Sequence, residues 1–116
     1  MAFENEDYNT LQIRYSDILK NLEYIECDIG WFDIIDKCLS DILKICYEAG
    51  ASVQIVQIKE KFGGLRFYTK CDSLHERISE AEVESYATCQ KCGKPGKARN
   101  FSGWISTVCE EHSVLD

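Results

Sequence analysis

This chain is poor in the residues that do most enzymatic chemistry and in those that interrupt a fold. It has two histidines and one proline in 116 residues, so general acid–base catalysis has little to work with. No apolar run approaches the roughly 18 residues that a membrane-spanning helix needs. The opening MAFENEDYNT is acidic, where a secretory leader would be basic and then apolar. A cytoplasmic location is the expectation. Gly63-Gly64 is not followed by a Lys-Ser or Lys-Thr pair, which excludes a phosphate-binding loop of the common kind. The zinc-deaminase pattern is also missing, because no His-x-Glu precedes a Pro-Cys-x-x-Cys. A nuclease of the ββα-metal type would need histidines beyond those that bind metal. The chain is therefore expected not to be an enzyme and to take no small-molecule substrate.

Cysteine, in contrast, is plentiful. Seven cysteines in a reducing compartment point to metal binding or burial rather than to a disulfide framework, and the odd count agrees. Cys38 and Cys46 fall on the apolar face of a predicted helix and read as core fillers. Cys27 and Cys71 fall near element ends. The other three join a histidine in the pattern Cys89-x2-Cys92, sixteen residues, Cys109-x2-His112. Two residues between cysteines let both thiolates reach one metal across a tight turn, and Gly93 lets the backbone curl beneath it. Soft thiolates with one imidazole suit zinc rather than calcium or magnesium. Four ligands leave no position for water, so one structural Zn2+ held by Cys89, Cys92, Cys109 and His112 is expected.

The formal net charge of −7 is unevenly spread. Residues 1–58 carry 11 acidic and 4 basic side chains, while residues 59–116 carry 9 of each and are neutral overall. The stretch from Cys89 to Cys109 holds Lys91, Lys94, Lys97 and Arg99 and no acid. An acidic front half thus precedes a locally basic tail.

Hydrophobic spacing supplies the expected elements. Residues 1–9 read as a mobile arm. Thr10 is placed to cap a helix to about Ile25, with Leu11, Tyr15, Ile18, Leu22 and Ile25 on one face. A second helix is predicted from about Trp31 to Ala49, ended by Gly50. Its stripe of Trp31, Ile35, Cys38, Ile42, Ile45 and Ala49 is widened by Ile34, Leu39, Leu43 and Cys46, as for a central helix. Residues 52–58 and 65–71 predict a hairpin that turns at the Gly63-Gly64 pair, with Leu65, Phe67 and Thr69 on one face. Ser73 and Glu76 form a potential capping box for a third helix over residues 74–86. A last short hairpin, turning at Asn100 to Gly103, would deliver Cys109 to the metal. The predicted fold is α+β: two to three helices on a short antiparallel hairpin or sheet, with a C-terminal zinc ribbon or treble-clef knuckle. Residues 1–88 would form the core and 89–116 the knuckle, packed as one domain.

Two kinds of partner fit these features. The acidic face of the second helix, with Asp33, Asp36 and Asp41, and the hairpin segment, with Lys59, Lys61, Phe62 and Arg66, suit docking to a protein. The alternative is nucleic acid, since basic and aromatic residues alternate on the hairpin and knuckle. Against it, a pI near 4.8 repels a polyanion at long range. A homodimer stays open.

The run Val56-Gln57-Ile58-Lys59-Glu60-Lys61-Phe62-Gly63-Gly64-Leu65-Arg66-Phe67-Tyr68 has a companion in Cys89-x-x-Cys92-Gly93-Lys94-Pro95-Gly96, Gly103-Trp104, Cys109 and His112. With Gly30-Trp31-Phe32-Asp33 upstream, this pairing resembles a group of small, functionally uncharacterised bacterial and phage proteins over about residues 29–112. The resemblance implies the same zinc ligands and a specialised hairpin tip, and brings no activity with it. It also suggests a bacterial cytoplasm or that of a phage host, where a regulator or inhibitor of a host or defence complex would act.

Overall fold

The sequence folds around a central helix whose neighbours come from both ends of the core. The computed structural model describes residues 2–113; Met1 and the last three residues of the predicted 89–116 knuckle lie outside the described residues. The helices are α1 (Asn5–Arg14), α2 (Phe32–Ala49) and α3 (His75–Ser85). The strands are β1 (Tyr24–Glu26), β2 (Ile55–Lys61), β3 (Gly64–Thr69), β4 (Lys97–Phe101) and β5 (Trp104–Val108). The α+β class with three helices and small sheets is as expected.

The front of the chain differs from expectation. The arm is not extended, because α1 begins at Asn5 and is capped at Glu4 by reciprocal bonds with Asp7. Thr10 lies inside this helix and donates its hydroxyl to the Glu6 carbonyl, so it caps nothing. Residues 15–22 leave the helix in tight turns that still bury Tyr15, Ile18, Leu19 and Leu22. Tyr24–Glu26 is a strand rather than a helix end, paired in parallel with Gln57–Lys59. The three-stranded sheet, in order β1-β2-β3, is therefore mixed rather than antiparallel. Parallel strands need a long crossover, and α2 lies in the connection that provides it.

The second helix keeps its predicted bounds, with Gly50 in the left-handed conformation at φ 63°. Its buried stripe is Ile34, Ile35, Cys38, Leu39, Ile42 and Cys46. Ile45 and Ala49 are exposed instead. One apolar cluster joins this stripe to Leu11, Leu19, Ile55, Ile58, Leu65, Phe67, Leu74 and Ala81. Trp31 sits in the same cluster, fully buried, and donates its indole N–H to the Thr88 carbonyl at 2.9 Å.

The third helix starts without the predicted capping box. A single 3-10 turn, Asp72–Leu74, leads into it, and no side chain caps its N-terminus. The Ser73 hydroxyl lies 3.0 Å from the Cys71 sulfur instead. The hairpins turn in the same way. Phe62 and Gly63 have φ of 54° and 84°, and Ser102 and Gly103 have φ of 56° and 94°. Positive φ at both central residues is the turn that matches strand twist. Gly64 is not a left-handed residue; it is small because the Tyr86 ring packs on it, where a Cβ would overlap the phenol oxygen.

Candidate metal centre

The ligand-bearing segments are positioned by backbone before any metal is considered. After α3 the chain turns so that the Cys89 N–H donates to the Lys94 carbonyl at 2.7 Å and the Gly93 N–H to the Cys89 carbonyl at 2.9 Å. Gly93, at φ 82°, makes this curl possible. Cys92 sits at its end. The β4–β5 hairpin then brings Cys109 alongside, and a short turn, closed by the His112 N–H on the Cys109 carbonyl at 3.2 Å, aims His112 back.

The sequence-predicted set is thereby assembled in full. One ligand atom from each of Cys89, Cys92, Cys109 and His112 lies within 4.8 Å of the others. The Cys92 and Cys109 sulfurs are 3.7 Å apart, and His112 Nδ1 lies 3.7 Å from the Cys89 sulfur and 3.2 Å from that of Cys109. A disulfide would need about 2.05 Å, so these are free thiols. A tetrahedron with Zn–S bonds of about 2.3 Å has S–S edges of about 3.8 Å, and with Zn–N near 2.0 Å its S–N edges are about 3.5 Å. The observed edges match that size. The donor set also fits: three sulfurs and an imidazole nitrogen, with Cys89 and Cys109 buried.

Cys89 and Cys92 are shifted in opposite directions. At Cys89 burial pushes the pKa up, but the backbone N–H groups of Cys109, Cys92 and Lys91 outweigh it and bring the thiol down to about 6. At Cys92 the Lys94 N–H works downward, yet burial and the Cys89 and Cys109 sulfurs hold the thiol above its usual value. A divalent cation at the centre would remove that mutual repulsion.

Cys27 and Cys38 are inert by comparison. Cys38 is fully buried, and desolvation raises its thiol to about 12. Cys27 is raised by burial and by the carboxylates of Asp28 and Glu60. Neither presents a thiolate near neutral pH.

A few hydrogen bonds and one close backbone approach lock the knuckle to the core. The Gly30 N–H donates to the Gln90 carbonyl at 2.7 Å, and a Cβ on Gly30 would overlap the Cys89 and Gln90 carbonyls. The Asp28 N–H donates to the Gln90 side chain at 3.3 Å. The buried Thr107 hydroxyl donates to the Gly63 carbonyl at 2.6 Å, which fastens β5 beneath the β2–β3 turn. Within the core, the Leu65 N–H reaches the buried Ser85 hydroxyl at 3.0 Å and ties β3 to α3. Gly30 and Gly63 stand in segments the sequence singles out, but no local signal marks these contacts, because each joins segments distant in sequence.

The candidate interaction residues are dispersed. Asp36 pairs with Arg14 at 3.1 Å and accepts the Tyr15 hydroxyl, and Asp41 pairs with Arg77 at 2.8 Å. Both acids thus brace α2 against its neighbours, while Asp33 is exposed. Arg66 lies 3.7 Å from Glu82, on the α3 side of the sheet. Lys61 and Phe62 are exposed at the hairpin tip, with the ammonium 5.8 Å from the Phe62 ring centre. Lys59 is half-buried on β2. Phe62, 67% exposed, and Trp104, 69% exposed, line one groove of about 240 Å³ where the two hairpin tips meet. His75 is exposed at the start of α3.

Protein-family models, curated proteins and solved structures were compared with this chain, and none matches it.

Proposed function

We propose that this chain is a non-enzymatic interaction module, stapled by one structural zinc ion in a treble-clef or ribbon-like knuckle, that acts by binding another protein. The observation that carries this reading is the pair Phe62 and Trp104. Phe62 is exposed and held at positive φ, a conformation that costs a bulky L-residue about 1–2 kcal/mol. Glycine or asparagine would serve the turn better. A strained aromatic facing water beside a second exposed aromatic is accounted for by a surface that is covered in use.

The zinc would hold this surface rather than react. Cys89, Cys92, Cys109 and His112 would bind it, and with four ligands filled it supplies rigidity and no activated water. The knuckle in turn carries Trp104 on β5 and supports Gly63 through Thr107. Metal binding and the shape of the aromatic groove are coupled in this scheme. The resemblance to small phage and bacterial proteins favours a host or defence complex as the setting in which such a regulator acts.

Two measurements test the reading. Cobalt-substituted protein should give the intense d–d bands of a tetrahedral thiolate site, unchanged by added azide or cyanide; bands that shift with the anion would reveal an open position and contradict a closed staple. Affinity purification from the native host should yield a protein partner that Phe62→Ser and Trp104→Ser both lose. Tight binding to oligonucleotides that weakens steeply with salt would instead favour the nucleic-acid alternative.

A further inference from the structure

Trp104 also walls a second and larger depression. Between the outer part of the β1–β2 sheet and the knuckle lies a cleft of about 480 Å³, lined among others by Glu26, Asp28, Lys59, Glu60 and Trp104. Its charged lining is three carboxylates and one ammonium. Among the described residues none of the three acids is engaged in an ion pair. Glu60 accepts one hydrogen bond, from the Gly63 N–H at 2.7 Å, which fixes its position and leaves its charge in place. Asp28 and Glu60 both line this cleft, and Cys27 lies in its wall. A neighbouring hollow of about 240 Å³ shares Asp28, Glu60 and Trp104 and adds Lys91.

The chemistry of this lining is selective. An exposed indole face attracts a cation through its quadrupole. Carboxylates at the edge of a concave, partly desolvated wall strengthen that attraction. A phosphate backbone would meet the same carboxylates as repulsion, and the aromatic face alone would not offset it. The aliphatic stem of a long basic side chain matches the apolar wall at Ile25.

We propose that this cleft receives a lysine or arginine side chain of the partner protein, its charged head between Glu26, Asp28, Glu60 and the Trp104 ring and its stem against Ile25. The assignment rests on the protein-binding reading above and names the chemistry of the partner: a segment with an exposed basic residue flanked by groups able to cover Phe62.

The two tryptophans make the test direct, because Trp31 is fully buried and Trp104 is exposed. Zinc-loaded, 15N-labelled protein would be titrated separately with a short Gly-Ser peptide carrying a central Arg-Lys pair, the same peptide with Glu-Asp, and oligothymidylate. The basic peptide should shift the Trp104 indole and the amides of Glu26, Asp28 and Glu60 while leaving the Trp31 indole in place. The acidic peptide and the oligonucleotide should shift neither indole. Trp104→Ala and Glu26→Gln, both at exposed positions, should each weaken the basic peptide, the former by about tenfold. Basic-peptide shifts that miss Trp104, or none at all, would overturn the cleft assignment and leave protein binding through Phe62 standing. A Trp104 shift with oligothymidylate would overturn both.

Discussion

The core and the knuckle are built to different plans. In the core, eighteen buried side chains, Leu11 through Ala81, form one cluster around α2. The knuckle's own cluster is Cys89, Val108 and Cys109, with Cys92 and Phe101 packed against it. Apolar burial is worth about 25 cal/mol per Å², so the first region has an ample driving force and the second has little. Two of the three buried side chains of that cluster, Cys89 and Cys109, belong to the Cys/His quartet that could hold a metal ion. The difference teaches that the core can stand on hydrophobic packing, whereas the knuckle has little of it and would rest on the metal that its Cys/His quartet could hold and on the few hydrogen bonds through Gly30, Gln90 and Thr107.

The largest effect should come from breaking the knuckle's plan. Cys109→Ser should abolish stoichiometric zinc, read by native mass spectrometry, and unfold residues 89–113, because structural zinc contributes on the order of 10 kcal/mol. Amide spectra should show the core signals largely unchanged. If the core collapses with the knuckle, the two regions are one cooperative unit and the contrast fails.

The converse change strikes the core. Ile42→Ala removes a fully buried side chain of α2 and should cost about 2–5 kcal/mol in urea unfolding. Zinc affinity, measured by chelator competition below the unfolding midpoint, should stay within about twofold, since separated sites behave additively. A parallel fall in affinity would show that core packing and metal site are coupled.

Gly30→Ala sharpens the boundary. Its new Cβ meets backbone rather than a movable side chain, so the cost should be about 1–3 kcal/mol or somewhat more. Unlike Ile42→Ala, it should also weaken zinc retention, because Cys89 itself must shift.

Alkali should loosen the core selectively. The Tyr15 hydroxyl is raised from 10.0 to about 12, first by burial and then by its hydrogen bond to Asp36. The Cys38 thiol is raised from 9.0 to about 12, chiefly by burial. Both groups are held protonated in the folded state and ionise earlier in the unfolded chain. Their contribution is complete below about pH 9 and is lost as pH rises through about 12. The urea midpoint should fall across that window, and Tyr15→Phe should make the fall shallower.

The smallest expected change has the opposite sign. Phe62→Asn relieves a left-handed aromatic and should stabilise the chain by about 1 kcal/mol in thermal or urea unfolding. It should weaken partner binding at the same time. A loss of stability would mean that the Phe62 ring packs on the protein and is not a docking group.

The two regions also differed in how readily they could be read from sequence. The metal quartet was legible because one Cys-x2-Cys and one Cys-x2-His pair satisfy a local geometric demand, and α2 was legible because its stripe and its Gly50 stop agree. The α1 region misled because Ile18, Leu22 and Ile25 keep helical spacing while lying in turns and in a strand of three residues. A parallel strand so short leaves no alternating pattern, and its pairing with β2 is a long-range event. The predicted caps at Thr10 and Ser73 failed because nearer bonds, to the Glu6 carbonyl and beside the Cys71 thiol, took those hydroxyls. Gly30 stood in a distinctive segment, but its contact with the knuckle and that of Thr107 were invisible, since nothing local marks where two distant segments will touch. Asp36 and Asp41 read as docking charges because sequence does not reveal that Arg14 and Arg77 reach them.

The most direct test of this division is hydrogen exchange on the purified chain, with its zinc content measured, before and after a strong zinc chelator. One zinc per chain is expected at the start. After chelation, amides of residues 89–113 should lose protection while those of α2 and β2 keep it. A chain without zinc whose knuckle is nonetheless protected, or one in which chelation changes nothing, would contradict the account.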